Sequence, residues 1–364
     1  KLGEMGYEAY AALGDSVPAD EPVVIRDEND AVDVVQIQEL EGRSGDVEVW
    51  SDEGFTKVQD VIKKPNRKTM YQTRTLDGVV NVTEDHSLVR SGGSEVSPEN
   101  VAEGDELLHK STGESLPDVG ERTFPHGIPW VLGLFTAEGT CNEYERDNGT
   151  LRYPWSIVNQ DKELLKHAQQ ILEEQWNVST TINDTRKSSS CWKLQLKDNS
   201  RGSQKWIAMD FRSLCYNNND KCVPTAVLNA TEEERRAFLH GFHAGDGHVQ
   251  DIDGRDRDFD EFMTASKSLA TGISMLLKSF GWNVTVSTRQ NHGNCYYRVR
   301  AVEGSKYHNH NRQAVRDNDV VTYDGDYVYD LETENHHFHA GVGDIIVHNT
   351  DGVGIAVPEA PTRH

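Results

Sequence analysis

Two stretches of this chain repeat each other at a fixed offset, and no other feature of the sequence limits its fold as sharply. WVLGLFTAEG (130–139) returns as FLHGFHAGDG (238–247), 108 residues later. A second pair, DKELLKHAQQILEEQW from Asp161 and SKSLATGISMLLKSFG from Ser266, aligns at an offset of 105. In the second pair apolar residues fall at 164, 165, 168, 171 and 172, and again at 269, 270, 273, 276 and 277, the spacing of a helix with one buried face. Duplication at two places predicts a pseudo-two-fold α/β unit. In the first pair, glycine and alanine allow two helices to approach closely, and each run ends in an acid followed by glycine. A single such run reads as a buried helix ending at a glycine. As a matched pair, they bring Glu138 and Asp246 to one axis, where two carboxylates can hold a divalent metal for phosphodiester hydrolysis.

Outside this middle region the pattern changes to short strands. Residues 20 to 110 alternate with period two, as in Val47-Glu48-Val49-Trp50, and are punctuated at Gly45-Asp46, Asp52-Glu53-Gly54 and Asp77-Gly78. Residues 320 to 348 return to strand character with Tyr327-Val328-Tyr329 and Ile345-Ile346-Val347. Ser111 to Phe124 is polar, contains Gly and Pro, and reads as a linker. One all-β domain interrupted by an inserted α/β domain accounts for this order, with boundaries near 125 and 310.

Charge follows the same division. The chain of 364 residues carries −23, which by itself argues against a nucleic-acid partner. Residues 128–310 hold 22 bases and 23 acids, a net of −1, and the remainder holds 15 bases and 37 acids, a net of −22. The exclusion therefore applies to the flanking parts and leaves the middle room for basic strands such as Tyr297-Arg298-Val299-Arg300. Five cysteines without a CxxC fit neither a disulfide scaffold nor a zinc ribbon and point to a reducing cytosol. No run of 18 apolar residues and no basic-then-apolar N-terminus occurs, so neither a membrane span nor a secretory signal is expected.

The chemistry-bearing residues cluster at the ends of the β part. In His348-Asn349-Thr350, the asparagine amide can attack its own peptide carbonyl and cut the chain, a histidine can transfer the protons, and the threonine hydroxyl can act as a nucleophile. His308-Asn309 and His310-Asn311 are also His-Asn pairs, but no hydroxyl residue follows them. Upstream, GVVNVTEDHSL (78–88) contains Thr83-x-x-His86. Ser16, ahead of the strand at Val23, is unremarkable alone. Lys221 precedes Cys222-Val223-Pro224 and reads equally as a solvated lysine before a turn; Lys306 is a weaker counterpart in the second repeat.

Taken together, the duplicated helices resemble those of the LAGLIDADG homing endonucleases, and the terminal motifs resemble an intein, a Hint splicing domain with an inserted endonuclease. The resemblance implies a horseshoe-like all-β Hint domain (16–124 and 311–349) around a pseudo-two-fold endonuclease (125–310), between short N- and C-extein fragments (1–15 and 350–364). It implies that Ser16 is the first nucleophile, that Thr83 and His86 act on the Asp15–Ser16 peptide, and that Asp330 tunes Thr350, the second nucleophile. His348 and either His336 or its neighbour His337 then assist cyclisation of Asn349. It further implies that Glu138 and Asp246 bind Mg²⁺, with Lys221 as a catalytic lysine, and that the partner is double-stranded DNA at the uninterrupted insertion site. Joining 1–15 to 350–364 reads Leu-Gly-Asp-Thr-Asp-Gly, similar to the Tyr-Gly-Asp-Thr-Asp-Ser motif of family B DNA polymerases, which implies a polymerase host whose exteins are partners in cis. A monomer in the cytoplasm is expected, and the acid-rich ends with 16 Lys against 21 Arg point to a halophilic archaeon. Three alternatives stay open: a splicing element with an inactive endonuclease, a stand-alone endonuclease or DNA-binding protein, and a polymerase fragment with a structural insertion.

Overall fold

Strands from the two ends of the chain are woven into the same sheets. The structure, a computed structural model, describes residues 16–86, 88–145, 147, 149, 151–197, 205–246, 261–291, 293–302 and 311–349. Asp15, Lys306 and Thr350 lie outside these residues, as do the side chains at 188, 246 and 302. One antiparallel sheet runs Val17–Pro18, Tyr327–Thr333, Gly54–Pro65, Glu48–Ser51, Pro22–Arg26, Val32–Gln36. Here Val17 stands opposite Tyr329, and Tyr329 opposite Lys63. A second sheet orders Asp317–Val321, Met70–Arg74, Gly78–Thr83 and Val342–Gly343; a third orders His337–His339, Ile346–His348, Leu88–Val89 and Glu95–Val96. The cause is visible in the long strand Gly54–Pro65, where buried Thr56, Val58, Ile62 and Lys64 alternate with exposed or half-buried neighbours.

Among the described residues the middle of the chain supplies five long helices: α1 (Ile128–Glu138), α2 (Lys162–Trp176), α3 (Lys205–Cys215), α4 (Glu232–Asp246) and α5 (Lys267–Ser279). The periodic segments form helices α2 and α5 as their spacing predicts. Asp161 caps α2 by accepting from the Glu163 and Leu164 amides, and Ser266 caps α5 by accepting from Leu269. Each repeat carries its own antiparallel sheet. The first orders Gly139–Cys141, Trp155–Asn159, Trp192–Leu196 and Thr180–Asp184; the second orders Glu261–Thr264, Asn294–Val302 and Asn283–Asn291.

Helices α1 and α4 meet at glycine. A Cβ on Gly133 would stand 1.9 Å from the Phe238 carbonyl oxygen, and a Cβ on Gly241 would stand 1.9 Å from that of Trp130. Residues 130 and 238, and 133 and 241, are equivalent at the 108-residue offset, so the contact is made twice around one local axis. The phenylalanines of this pair, Phe135, Phe238 and Phe242, are buried beside it.

The segment 111–124 is more than a linker. Thr112–Ser115 forms a short 3-10 turn whose Thr112 and Ser115 are buried, and a Cβ on Gly113 would meet the backbone of Lys278 and Ser279 at the end of α5. A polar sequence conceals this anchor because its polar groups are spent inward: Asp344 accepts from both the amide and the hydroxyl of Thr112, at 2.9 and 3.0 Å. The β part keeps an apolar core of its own, and Val24, Val32, Val34, Trp50, Val79 and Val342 on its other side join the cluster that fills the helical part.

Candidate functional site

Ser16 and Asn349, 333 positions apart, are both buried in the β part, at 1% and 0% exposure. Ser16 is held by strand Gly78–Thr83: its amide donates to the Thr83 hydroxyl at 3.1 Å, and its carbonyl accepts from the Thr83 amide at 2.9 Å. One step beyond the Val17–Tyr329 pair, Ser16 and Asp330 occupy equivalent register positions, and Asp330 is fully buried. His86 follows at the end of that strand, its amide donating to the Thr83 carbonyl at 2.9 Å. Its ring is wholly buried, and neither ring nitrogen has a hydrogen-bond partner among the described residues. Burial first, and then the positive charges of His348, Lys64 and Lys68, push its pKa down to about 3. His86 is therefore neutral at physiological pH, with one ring N–H to donate and one lone pair to accept a hydrogen bond.

Asn349 is fixed by the turn that carries the late histidines. Its amide donates to the His336 carbonyl at 2.9 Å. With its side-chain nitrogen turned toward acceptors, it donates to His336 Nδ1 at 3.3 Å and the His336 carbonyl at 3.2 Å, while its oxygen accepts from the Thr333 amide at 3.0 Å. His336 adopts a left-handed backbone (φ 62°) that a non-glycine residue takes only when its surroundings hold it there. The His348 ring lies 6.0 Å from that of His336, nearly parallel to it, and its Nε2 is 3.7 Å from Glu95. His337 pairs with His348 across the strands, and its Nδ1 is occupied by Asp52 at 3.0 Å. Of the two adjacent histidines that sequence leaves undecided, His336 is the one against the Asn349 amide. Thr350 and Asp15, whose bonds would react, lie outside the described residues.

The second constellation sits at the far ends of α1 and α4. A Cβ on Gly245, the residue before Asp246, would lie 2.9 Å from the Glu138 Cγ, so the two helix ends do meet beside Glu138. Glu138 is half-buried and accepts from Asn159 at 3.4 Å. Lys221 donates to the Phe135 and Ala137 carbonyls at 3.4 and 3.1 Å, which closes the C-terminus of α1 and puts its charge beside Glu138. Among the described residues no group of three or more His, Cys, Asp or Glu could hold a metal. The donor set expected for a divalent ion consists of Glu138 and Asp246, and only the former's side chain is described. Its hard oxygens suit Mg²⁺ in kind.

Alternation along Asn294–Val302 buries Tyr297 and Val299 and turns Arg298 and Arg300 to the opposite face. Both arginines contact Glu261, at 2.6 and 3.5 Å, so the expected basic strand is partly neutralised. Sequence reading missed the charged residues that join the two units, Glu21, Lys267, Lys278 and Asp344. Each is an ordinary surface type whose partner lies far along the chain, and no local pattern marks it.

Residues 233–313 match the model of the LAGLIDADG-like domain family. This span begins in α4 and runs through the second repeat; the first repeat is outside it. The chain is similar to a DNA polymerase of Acanthamoeba polyphaga mimivirus, 32% identical over 375 residues, covering 94% of this chain and 21% of that protein. Of the curated relatives it matches, the chain spans about a fifth or less. Among solved structures, I-DmoI in complex with DNA and Mn is 18% identical, covering 48% of this chain and 89% of that one, with a TM-score of 0.35. The VidaL intein is 18% identical, covering 26% and 69%, with a TM-score of 0.24. Likenesses at those TM-scores carry no fold assignment.

Proposed function

We propose that residues 16–349 excise themselves and join their flanks, and that the inserted unit, residues 125–310, cleaves double-stranded DNA. The observation that carries the first part is the burial of Ser16 and Asn349 in one β unit, each against a residue suited to its chemistry. The Ser16 hydroxyl attacks the Asp15 carbonyl, the amide C–N bond breaks, and an ester forms as the Ser16 nitrogen takes up a proton. Thr83 and the neutral His86 serve this step by polarising the amide and stabilising the oxyanion. The Thr350 hydroxyl then displaces Ser16 from the ester, with Asp330 tuning it, and takes over the N-terminal flank. The Asn349 side-chain nitrogen attacks its own backbone carbonyl, giving a succinimide and freeing the Thr350 amine. His336 accepts the proton from that nitrogen, and His348 supplies one to the departing amine. Attack of the amine on the ester leaves Asp15 and Thr350 in an ordinary peptide bond, with no oxidant or cofactor consumed.

The second part is supported by the family match and by the pairing of α1 and α4 beside Glu138. Glu138 and Asp246 would hold Mg²⁺, which when bound polarises a phosphate and activates water. Lys221 keeps positive charge at the same point. The similarity to a viral DNA polymerase supports a polymerase host, the joined Leu-Gly-Asp-Thr-Asp-Gly sequence is what suggests family B, and the flanks 1–15 and 350–364 are then fragments of its exteins. The DNA partner is the host gene without the insertion, and the chain acts as a cytoplasmic monomer.

Two substitutions separate the activities. Glu138→Gln is expected to abolish DNA cutting while release of the flanks continues, whereas Asn349→Ala stops ligation and leaves cutting in place. An intact, unprocessed wild-type chain that cuts DNA would leave the endonuclease alone standing.

A further inference from the structure

Helix α5 belongs to the LAGLIDADG-like unit, yet both of its ends are bonded into the β part, next to the two junction segments. At its start Lys267 donates to Asp20 at 2.9 Å and to Glu21 at 2.7 Å. The Lys267 and Glu21 side chains are 12% and 2% exposed. The other Glu21 oxygen accepts from the Asn81 amide at 3.0 Å, two residues before Thr83 on the strand that grips Ser16. At the end of the helix, Lys278 meets Asp344 at 2.7 Å, with side chains 7% and 10% exposed. Asp344 opens the segment that runs through Ile346–His348 to Asn349, and its amide donates to the Asp77 carbonyl at 3.2 Å. Glu21 lies five residues after Ser16, and Asp344 five residues before Asn349. Between these contacts the hydroxyl of Thr271 donates to the Gly341 carbonyl at 3.2 Å.

Buried ion pairs are poor general stabilisers, because desolvation offsets most of their attraction, but they fix which groups meet and in what geometry. Burial works against the charge on Lys267, and the carboxylates of Glu21 and Asp20 outweigh it and hold the lysine protonated. Close packing, with Gly113 seated on the backbone of Lys278 and Ser279, sets the axial position of α5. Two charge pairs, at opposite ends of this helix of 13 residues, tie that position to the Glu21 and Asp344 side chains.

We propose that Lys267 and Lys278 are positioning residues of the splicing reaction: α5 is a strut that sets the Ser16 segment through Glu21 and the Asn349 segment through Asp344. This rests on the proposed splicing of residues 16–349, and it makes the inserted unit a working part of the splicing centre. Because each lysine serves a different junction, their effects separate by step.

The test uses two full-length backgrounds. In Asn349→Ala cyclisation is blocked, and hydroxylamine cleavage after Asp15 reads the Ser16 step, from which both the Ser16 and the Thr350 ester derive. In Ser16→Ala only Asn349 cyclisation can proceed, read as release of residues 350–364. Lys267→Met is expected to slow the first at least tenfold and to leave the second within about threefold; Lys278→Met should do the reverse. Lys278→Arg, which keeps the charge, should recover most of the cyclisation rate, and thermal melting of every variant reports whether it is folded. Equal slowing of both steps by either methionine, no slowing by either, or an arginine variant as slow as the methionine one would overturn the strut. Absence of both cleavages in the backgrounds themselves, before any lysine is changed, would instead remove the splicing reading and the strut with it.

Discussion

Ser16 and Thr83 are tied by two hydrogen bonds in opposite directions, Ser16 amide to Thr83 hydroxyl at 3.1 Å and Thr83 amide to Ser16 carbonyl at 2.9 Å. The hydroxyl thus sits on the nitrogen that must become the leaving group when Ser16 attacks its neighbour. Thr83→Val keeps the shape and the backbone bond and removes the hydroxyl. Loss of one such polarising group costs about a hundredfold in rate at preorganised sites. In the Asn349→Ala background, hydroxylamine cleavage after Asp15 should fall by about that factor, while cyclisation of Asn349 in the Ser16→Ala background stays near its normal rate.

The contact between Asn349 and His336 yields a prediction that sequence could not choose. A positioned general base contributes about 10²- to 10⁴-fold. His336→Ala should lower release of residues 350–364 by at least a hundredfold, and His337→Ala, which loses its bond to Asp52 and its ring contact with His348, should lower it far less. Release rates measured by mass spectrometry in the Ser16→Ala background decide between the two histidines.

Gly133 and Gly241 allow α1 and α4 to touch, and the obstacle to any larger residue is backbone, not a movable side-chain tip. Overpacking of a well-filled core costs about 1–3 kcal/mol, sometimes more. Gly133→Ala and Gly241→Ala should each destabilise by about 3 kcal/mol or more, at the upper end of that range, because the helices must part to admit the methyl group. Gly92→Ala, with no atom within 4 Å of its new carbon, should stay within about 0.5 kcal/mol. Urea denaturation of the three variants checks this.

Acid should unfold the chain earlier than its surface charge alone requires. Burial holds His86 down to about 3 and His339 down to about 4, both neutral when folded. The unfolded chain protonates these residues near pH 6.5, so it binds more protons below that pH and gains relative to the native state. Stability from this source is complete above pH 6.5 and declines as the pH falls toward 4 and then 3, by about 2 kcal/mol for each histidine at pH 5. Denaturation curves at pH 7 and pH 5, taken on the Ser16→Ala/Asn349→Ala chain so that nothing is released, should show the loss. His339→Gln should remove its own share of the change, about 2 kcal/mol.

The duplicated helices were legible in sequence because a buried helix pair imposes a period, a glycine spacing and a common offset, all local to short windows. Helices α2 and α5 begin one residue after Asp161 and Ser266, since a capping residue is visible as a residue type. The Thr83–His86 and His348–Asn349 motifs were legible as chemistry, but the strand pairing that brings Ser16 to Thr83 is long-range and has no local signature. The turn at Thr112–Ser115 reads as linker because polar residues that bond inward look like polar residues that bond to water. The same holds for Lys267 and Lys278: their carboxylate partners stand 246 and 66 residues away, and only the fold names them.

Splicing is the central claim, and the intact mass of freshly expressed, unmutated chain tests it most directly. The account predicts a released product of 334 residues (16–349), ending in the succinimide or its hydrolysed form, together with a peptide of 30 residues in which Asp15 is joined to Thr350. A single species at the mass of all 364 residues, persisting across salt concentrations with Ser16 and Asn349 in place, would contradict it.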